Sequence, residues 1–181
     1  MTVLMLFSLS IQQIAQSQVR VPFKQRTSAF SPTKTIYSIN GDYTMIGNTN
    51  LTLQNYSDTR LNSNNTMIKV DADGISGTNN SSASTLTFST ENGAVPSCSK
   101  VLFAGLYWTA RTDNNVTEIA KRTVKFRGPN QAAYTTYTAL SNEIRYPGDD
   151  NMYVAFTEVT SQVQQCGLGQ YWVADMALTT G

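Results

Sequence analysis

Nowhere in this sequence do apolar residues recur at i, i+3, i+4 and i+7 for three helical turns; what recurs is short alternating or apolar runs of strand length. Such a chain offers no broad helix face to bury, but it can lay one side of each run against a partner sheet. Residues 35–40 alternate and meet Gly41-Asp42, and residues 43–46 meet Gly47-Asn48. Leu51 and Leu53 alternate before the polar stretch 55–66, and residues 67–70 run into Asp71-Ala72-Asp73-Gly74. Further runs lie at 85–89, 124–127, 133–139, 152–159 and 171–178, rich in Val, Ile, Thr, Tyr and Phe. Residues 101–108 are nearly all apolar, the pattern of a strand buried on both faces. The best helical candidate, 116–121, is short. No fixed-period repeat points to a propeller or β-helix. The expected fold is all-β: an antiparallel β-sandwich with jelly-roll or immunoglobulin-like connections.

Composition then narrows the function. Thr, Ser and Asn number 24, 17 and 15, while charged residues make up only 14%, so neutral polar groups cover the surface. Thirteen basic residues against twelve acidic ones leave a net charge of +1. A nucleic-acid partner is therefore not expected, because binding one needs a basic patch to displace counterions. Histidine is absent, which removes the Ser-His-Asp triad, the Cys-His pair and most zinc sites.

The uncharged apolar stretch 2–14 is too short to span a bilayer comfortably, and Ala15 and Ser17 stand at the −3 and −1 positions of a small-residue cleavage site. Residues 1–17 are expected to be a signal peptide, 18–34 an extended lead-in with Pro22 and Pro32, and 35–181 the sandwich domain. The alternative for the first segment is a buried N-terminal strand or helix. No later run reaches membrane length. The expected product is secreted and does not span a membrane.

Three stretches together have a family look. The first is Gly41-Asp42-Tyr43-Thr44-Met45-Ile46-Gly47-Asn48 with Leu51-Thr52-Leu53. The second is Phe88-Ser89-Thr90-Glu91-Asn92-Gly93-Ala94 with Cys98-Ser99-Lys100-Val101-Leu102-Phe103-Ala104-Gly105-Leu106-Tyr107-Trp108. The third is Thr157-Glu158-Val159-Thr160 with Gly167-Leu168-Gly169-Gln170-Tyr171-Trp172-Val173-Ala174-Asp175. Over nearly all of the chain after residue 17, this pattern resembles the N-terminal region of long adhesin-like surface proteins of gliding Bacteroidota. The resemblance implies export by a signal peptide, type IX secretion through a C-terminal sorting domain, and downstream domains in the same chain. Similar proteins follow the third motif with a strand opening in Gly-Trp, which this sequence lacks, as it lacks the sorting domain. The expectation is a front fragment whose last strand, at 171–178, exposes an unpaired edge and makes it prone to self-association.

Candidate sites are few. Cys98 and Cys166 are the only cysteines, and an even count in an exported chain suggests a disulfide. Closing a loop of about 68 residues would contribute roughly 4 kcal/mol in the chain-entropy model; two unconnected thiols are the alternative. Asp71 and Asp73 beside Gly74 make a calcium candidate, with Asn79, Asn80 and carbonyls as further oxygens, although a plain Asp-Gly turn explains the same letters. No other cofactor is expected. Tyr107-Trp108 and Tyr171-Trp172 each place one ring inward and one outward, so they are candidates for stacking on a sugar or for core packing. Glu143, Asp149, Asp150, Glu158 and Asp175 are the nominal supply for a carboxylate-only hydrolase, but no local motif singles any of them out. Asn50, Asn55, Asn64, Asn80 and Asn115 open Asn-x-Ser/Thr triplets that arise by chance at this composition. The leading expectation is a non-enzymatic extracellular module for attachment or surface display, meeting surface polysaccharide or other cell-surface components. A carbohydrate-binding module of a secreted multidomain protein is the alternative.

Overall fold

A computed structural model describes residues 24–56, 66–148 and 151–180. Its fold is all-β, with short helical connections. A two-stranded ribbon joins β1 (Leu51–Leu53) to β2 (Met67–Lys69). The larger sheet contains β3 (Ser81–Leu86), β5 (Thr123–Arg127), β6 (Thr135–Thr138) and β9 (Gly169–Ala174), in the order β3-β9-β5-β6. The smaller contains β4 (Gly105–Arg111), β7 (Ile144–Arg145) and β8 (Met152–Glu158), in the order β4-β8-β7. All strand pairs are antiparallel. Early strands pair with late ones in nested fashion, β3 with β9 and β4 with β8, as in a long ribbon rolled up on itself. The other pairs join neighbours in sequence, β5 with β6 and β7 with β8, or β9 with β5.

The two sheets share one interior. Trp108, Tyr153, Ala155 and Ile144 of the smaller sheet pack with Val124 of the larger in one cluster. A second cluster gathers Leu86, Phe126, Val159, Val163 and Tyr171, and Leu106, Tyr137 and Val173 touch both. The alternation of β5, Val-Lys-Phe-Arg at 124–127, sends Val124 and Phe126 inward and Lys125 and Arg127 outward, as the letters suggest.

Two short helices link strands, one between β4 and β5 and one between β8 and β9. In α1 (Glu118–Arg122) Thr117 is the N-cap, its hydroxyl accepting from the Ala120 N–H, and it falls on the helical candidate of the sequence. The sequence pattern missed α2 (Thr160–Cys166), whose inward face is a single turn of Thr160, Gln162 and Val163. Gly167 ends α2 with φ +69°, a left-handed position suited to glycine.

Several expectations are corrected. Residues 35–40 and 43–46 form no strand; Ile36, Tyr43 and Met45 are exposed, because no neighbouring strand takes up their alternation. The run 101–108 is not a strand buried on both faces: β4 begins only at Gly105 and alternates, its inner face against the core. The last strand is not an edge. β9 ends at Ala174, short of the expected 178, and is hydrogen-bonded to β3 on one side and to β5 on the other, so it is not an edge strand. Residues 1–17 lie outside the described residues, as does the start of the lead-in. Residues 24–34 are irregular, and Ser28 and Ala29 bind Glu158 at the end of β8.

Asn50 and Asn80, two of the five triplet asparagines, are buried as a polar staple. Asn50 Nδ2 donates to Asn80 Oδ1 (2.7 Å), and Ser82 Oγ donates to Asn50 Oδ1 (2.5 Å). Asn80 donates to the Met176 carbonyl (2.9 Å) and accepts from the Met176 N–H (3.1 Å). The staple ties β1, β3 and the exit of β9 together.

Packing is tight at Gly128, where an added Cβ would stand 2.6 Å from Cys166 Sγ and 3.0 Å from the Tyr171 ring. Gly128→Ala is therefore expected to destabilise the fold by about 2 kcal/mol, read as a lower denaturation midpoint with unchanged slope. An unchanged midpoint would mean that α2 does not pack on the β5 end as described.

Candidate functional site

The outer face of the larger sheet carries one transverse row that crosses its strands. Register places Arg127 of β5 opposite Trp172 of β9, and Trp172 opposite Ala83 of β3. Beyond Arg127, just outside β6, stands Tyr134. The Arg127 guanidinium lies 4.2 Å from the Trp172 ring centroid and 4.9 Å from that of Tyr134, so it is stacked between two aromatic faces. The neighbouring row holds Lys125, which pairs with Asp175 at 2.7 Å and donates to the Gly77 carbonyl at 3.3 Å.

The loop containing Asp71 and Asp73 folds onto this end of the sheet. Asp73 Oδ1 accepts from the Ile75 N–H (2.9 Å) and the Thr78 hydroxyl (3.0 Å), and its Oδ2 accepts from the Tyr134 hydroxyl. Partial burial pushes the Asp73 carboxyl up, but the hydrogen bonds from Tyr134, Ile75 and Thr78 outweigh it, and the group sits below its ordinary value. Burial, and then the bond to Asp73, hold the Tyr134 phenol well above its ordinary value. Asp71 Oδ1 accepts from Ser81 Oγ (3.0 Å). The carboxylates proposed for calcium thus serve as fasteners of their own loop, and among the described residues no group of three or more Cys, Asp and Glu is arranged to hold a metal ion.

The four aromatic candidates divide as alternation requires. Trp108 is 4% exposed, its Nε1 donating to the Lys121 carbonyl at 3.0 Å, and Tyr171 is buried with its hydroxyl on the Gly167 carbonyl. Both belong to the core, not to a ligand surface. Tyr107 is 62% exposed and leans on Phe156, with ring centroids 4.6 Å apart, on the smaller sheet. Trp172 is on the larger one. The outward rings therefore do not form one platform.

Cys98 and Cys166 are both free thiols in the structure, so the expected bridge is not formed. Cys166 Sγ is tucked beneath Gly128, whereas Cys98 sits on an exposed turn (Pro96–Cys98). The residues around the two line a common groove of about 420 Å³. Burial raises the Cys166 thiol.

The described acids of the hydrolase set are likewise engaged by the fold. Glu143 pairs with Arg26 at 2.5 Å. Glu158 accepts from Ser28 Oγ (2.5 Å), Thr160 Oγ1 (2.7 Å) and the Ala29 N–H (2.9 Å). Asp175 accepts from the Asn79 N–H (2.7 Å) as well as from Lys125. Asp149, Asp150 and Asn64 lie outside the described residues. A second, open cleft of about 580 Å³ is formed by residues 76–79 and 175–177, with Asp175 as its one carboxylate. Nothing local links residues 127, 134 and 172, so the row around Arg127 appears only in the assembled sheet.

Comparison decides no family. No protein-family model, curated protein or solved structure matches this chain. None of the helices among the described residues is long and apolar enough to cross a membrane.

Two measurements check this geometry. Burial raises the Glu158 carboxyl, but the bonds from Ser28, Ala29 and Thr160 bring it below its ordinary 4.5. A carboxyl depressed by folding adds stability that is full above its unfolded value and is lost as pH falls through the folded one. Stability should therefore decline below about pH 4.5. Glu158→Gln should cost about 1 kcal/mol at neutral pH and flatten that acid limb; a limb as steep as wild type would remove Glu158 from the account. Thiol titration of the native chain should give two equivalents, Cys98 reacting fast and Cys166 slowly, whereas a linked peptide in a non-reduced digest would overturn the free-thiol state.

Proposed function

We propose that the chain is a non-catalytic β-sandwich module of an exported, adhesin-like surface protein of the kind its three motifs resemble, working in attachment or surface display. The observation that carries this reading is the state of the acids. Glu143, Glu158 and Asp175 are each held by donors or cations of the fold, at the ends of different elements. A carboxylate-only hydrolase needs two acids facing a common ligand space, and neither cleft offers that among the described residues. A neutral, Thr-rich exterior and acids used as ties suit a part that has to persist outside the cell.

The carbohydrate-binding alternative draws on one specific feature, Trp172 on an outer sheet face beside polar neighbours. Tyr107 gives it no help, lying on the other sheet.

The test is accessibility on the producing cells. Protease treatment of intact cells should release peptides from this domain. A chain protected until lysis would overturn surface display. Turnover of a polysaccharide or peptide panel that disappears in Glu143→Gln or Glu158→Gln would overturn the non-catalytic assignment.

A further inference from the structure

Among the described residues, Arg127 is a cation on the outer face of the larger sheet that no carboxylate neutralises. Its guanidinium is clamped between the Trp172 and Tyr134 rings, at 4.2 and 4.9 Å. Among the described residues no carboxylate or other acceptor engages it, and its Nε is shielded from solvent without a hydrogen-bond partner. Three other cations are matched by carboxylates: Lys125 by Asp175, Arg26 by Glu143 and Arg122 by Glu118. Tyr134 supplies no counter-charge, since its hydroxyl is committed to Asp73.

A guanidinium already stacked on both faces has little freedom left to lose on binding. Its planar edge remains able to make two parallel N–H···O bonds to a carboxylate or sulfate group. Adjacent strands are about 4.8 Å apart, so the row from Trp172 across Arg127 to Tyr134 spans about 10 Å, long enough for two linked sugar rings. Its surroundings are neutral: Thr136 lies opposite Lys125 in the next row, and Gln170 and Thr85 pair across β9 and β3. Hydroxyl and amide groups of this kind match a hydroxyl-rich ligand. An acidic peptide would call for additional free cations, and the nearest, Lys125, is already paired.

We infer that Arg127, set between Trp172 and Tyr134, anchors a binding site for an anionic saccharide, the guanidinium taking the acidic group and Trp172 packing against the sugar. The inference rests on the attachment reading and names its ligand class. Carboxylate and sulfate present the same chemistry to Arg127, so the experiment separates them.

The purified chain is titrated with oligogalacturonate, with a sulfated dextran oligosaccharide and with a neutral cello-oligosaccharide, read by tryptophan fluorescence and calorimetry. At least one acidic oligosaccharide should bind saturably, and at least tenfold more tightly than the neutral one. Arg127→Lys keeps the charge but loses the planar fork, and should weaken binding about tenfold. Trp172→Phe should abolish the fluorescence change, since Trp108 is buried. Lys100→Gln, a charge removed elsewhere, should leave affinity unchanged. Should Arg127→Lys melt early, Thr136→Asp on the exposed neighbouring row substitutes for it, weakening the acidic oligosaccharides and sparing the neutral one. Equal binding of the neutral sugar, full affinity in Arg127→Lys and Thr136→Asp, equal weakening in Lys100→Gln, or no binding of either acidic probe would each overturn the site. Those results leave surface display standing if the chain is still stripped from intact cells by protease, so the two failures are distinguishable.

Discussion

Everything in the larger sheet depends on β9. It is the last of the described strands, yet it lies between β3 and β5 and gives hydrogen bonds to both. Until residues 169–174 arrive, β3 has no neighbour in that sheet, and the hairpin of β5 and β6 stands alone. The smaller sheet repeats the arrangement, with β8 between β4 and β7. Such long-range pairing carries a loop-closure cost before any reward, so devices that fix the late strands matter. The Asn50–Asn80 staple is one, since it grips the backbone at Met176 just as β9 leaves the sheet. Buried amides are costly unless every bond is made, and here each has partners from a different element. The pair thereby favours one register of β9 against β3, where a slip of one residue would turn Tyr171 and Val173 outward.

Much of the sheet was legible because period-2 patterning survives wherever one face is buried. The runs at 124–127 and 152–159 fall on β5 and β8, and each Tyr-Trp pair has one ring inward, Trp108 and Tyr171, as alternation requires without saying which. The failures have separate causes. Residues 35–40 and 43–46 alternate as well as any strand, but alternation states only that a run could pair, not that a partner exists. At 101–104 the apolar letters extend the expected strand, whereas they serve a connecting segment: Val101 and Ala104 pack on the second core cluster. Helix α2 escaped notice because seven residues, Thr-Ser-Gln-Val-Gln-Gln-Cys, hold a single inward turn. Its buried Gln162 works through hydrogen bonds to Gln131 and Tyr137, a role that leaves no periodic trace.

The candidate site shows the same boundary more sharply. The outward direction of Arg127 follows from β5 alone, and that of Trp172 from β9 alone. That they face each other requires the pairing of β5 with β9, and Tyr134 joins them only because the turn after β5 returns beside it. Register is a property of the assembled sheet, so a row across strands cannot be read from any one run. The same holds for Asp73. As letters, Asp-Ala-Asp-Gly suits a turn or a metal loop; that Tyr134 and Thr78 donate to Asp73 is visible only in the fold.

The acids and bases of this chain follow one logic. In a molecule with so few charges, a carboxylate has few cations to meet, and hydroxyl and backbone donors replace them: Ser28, Thr160 and Ala29 on Glu158, Thr78, Tyr134 and Ile75 on Asp73. Hydrogen bonds of this kind stabilise the charged form without a paired cation, so cations are left over in proportion to how well hydroxyls serve the acids. Asp73 is the telling case. It stands close to Arg127 through Tyr134, yet it is satisfied by the phenol instead of the guanidinium, and the guanidinium is left with aromatic faces on both sides and an open edge. A fold that used Asp73 to neutralise Arg127 would have a quieter surface there. The Thr- and Tyr-rich composition that builds the sheet is thus also what leaves Arg127, among the described residues, without a carboxylate on its outer face.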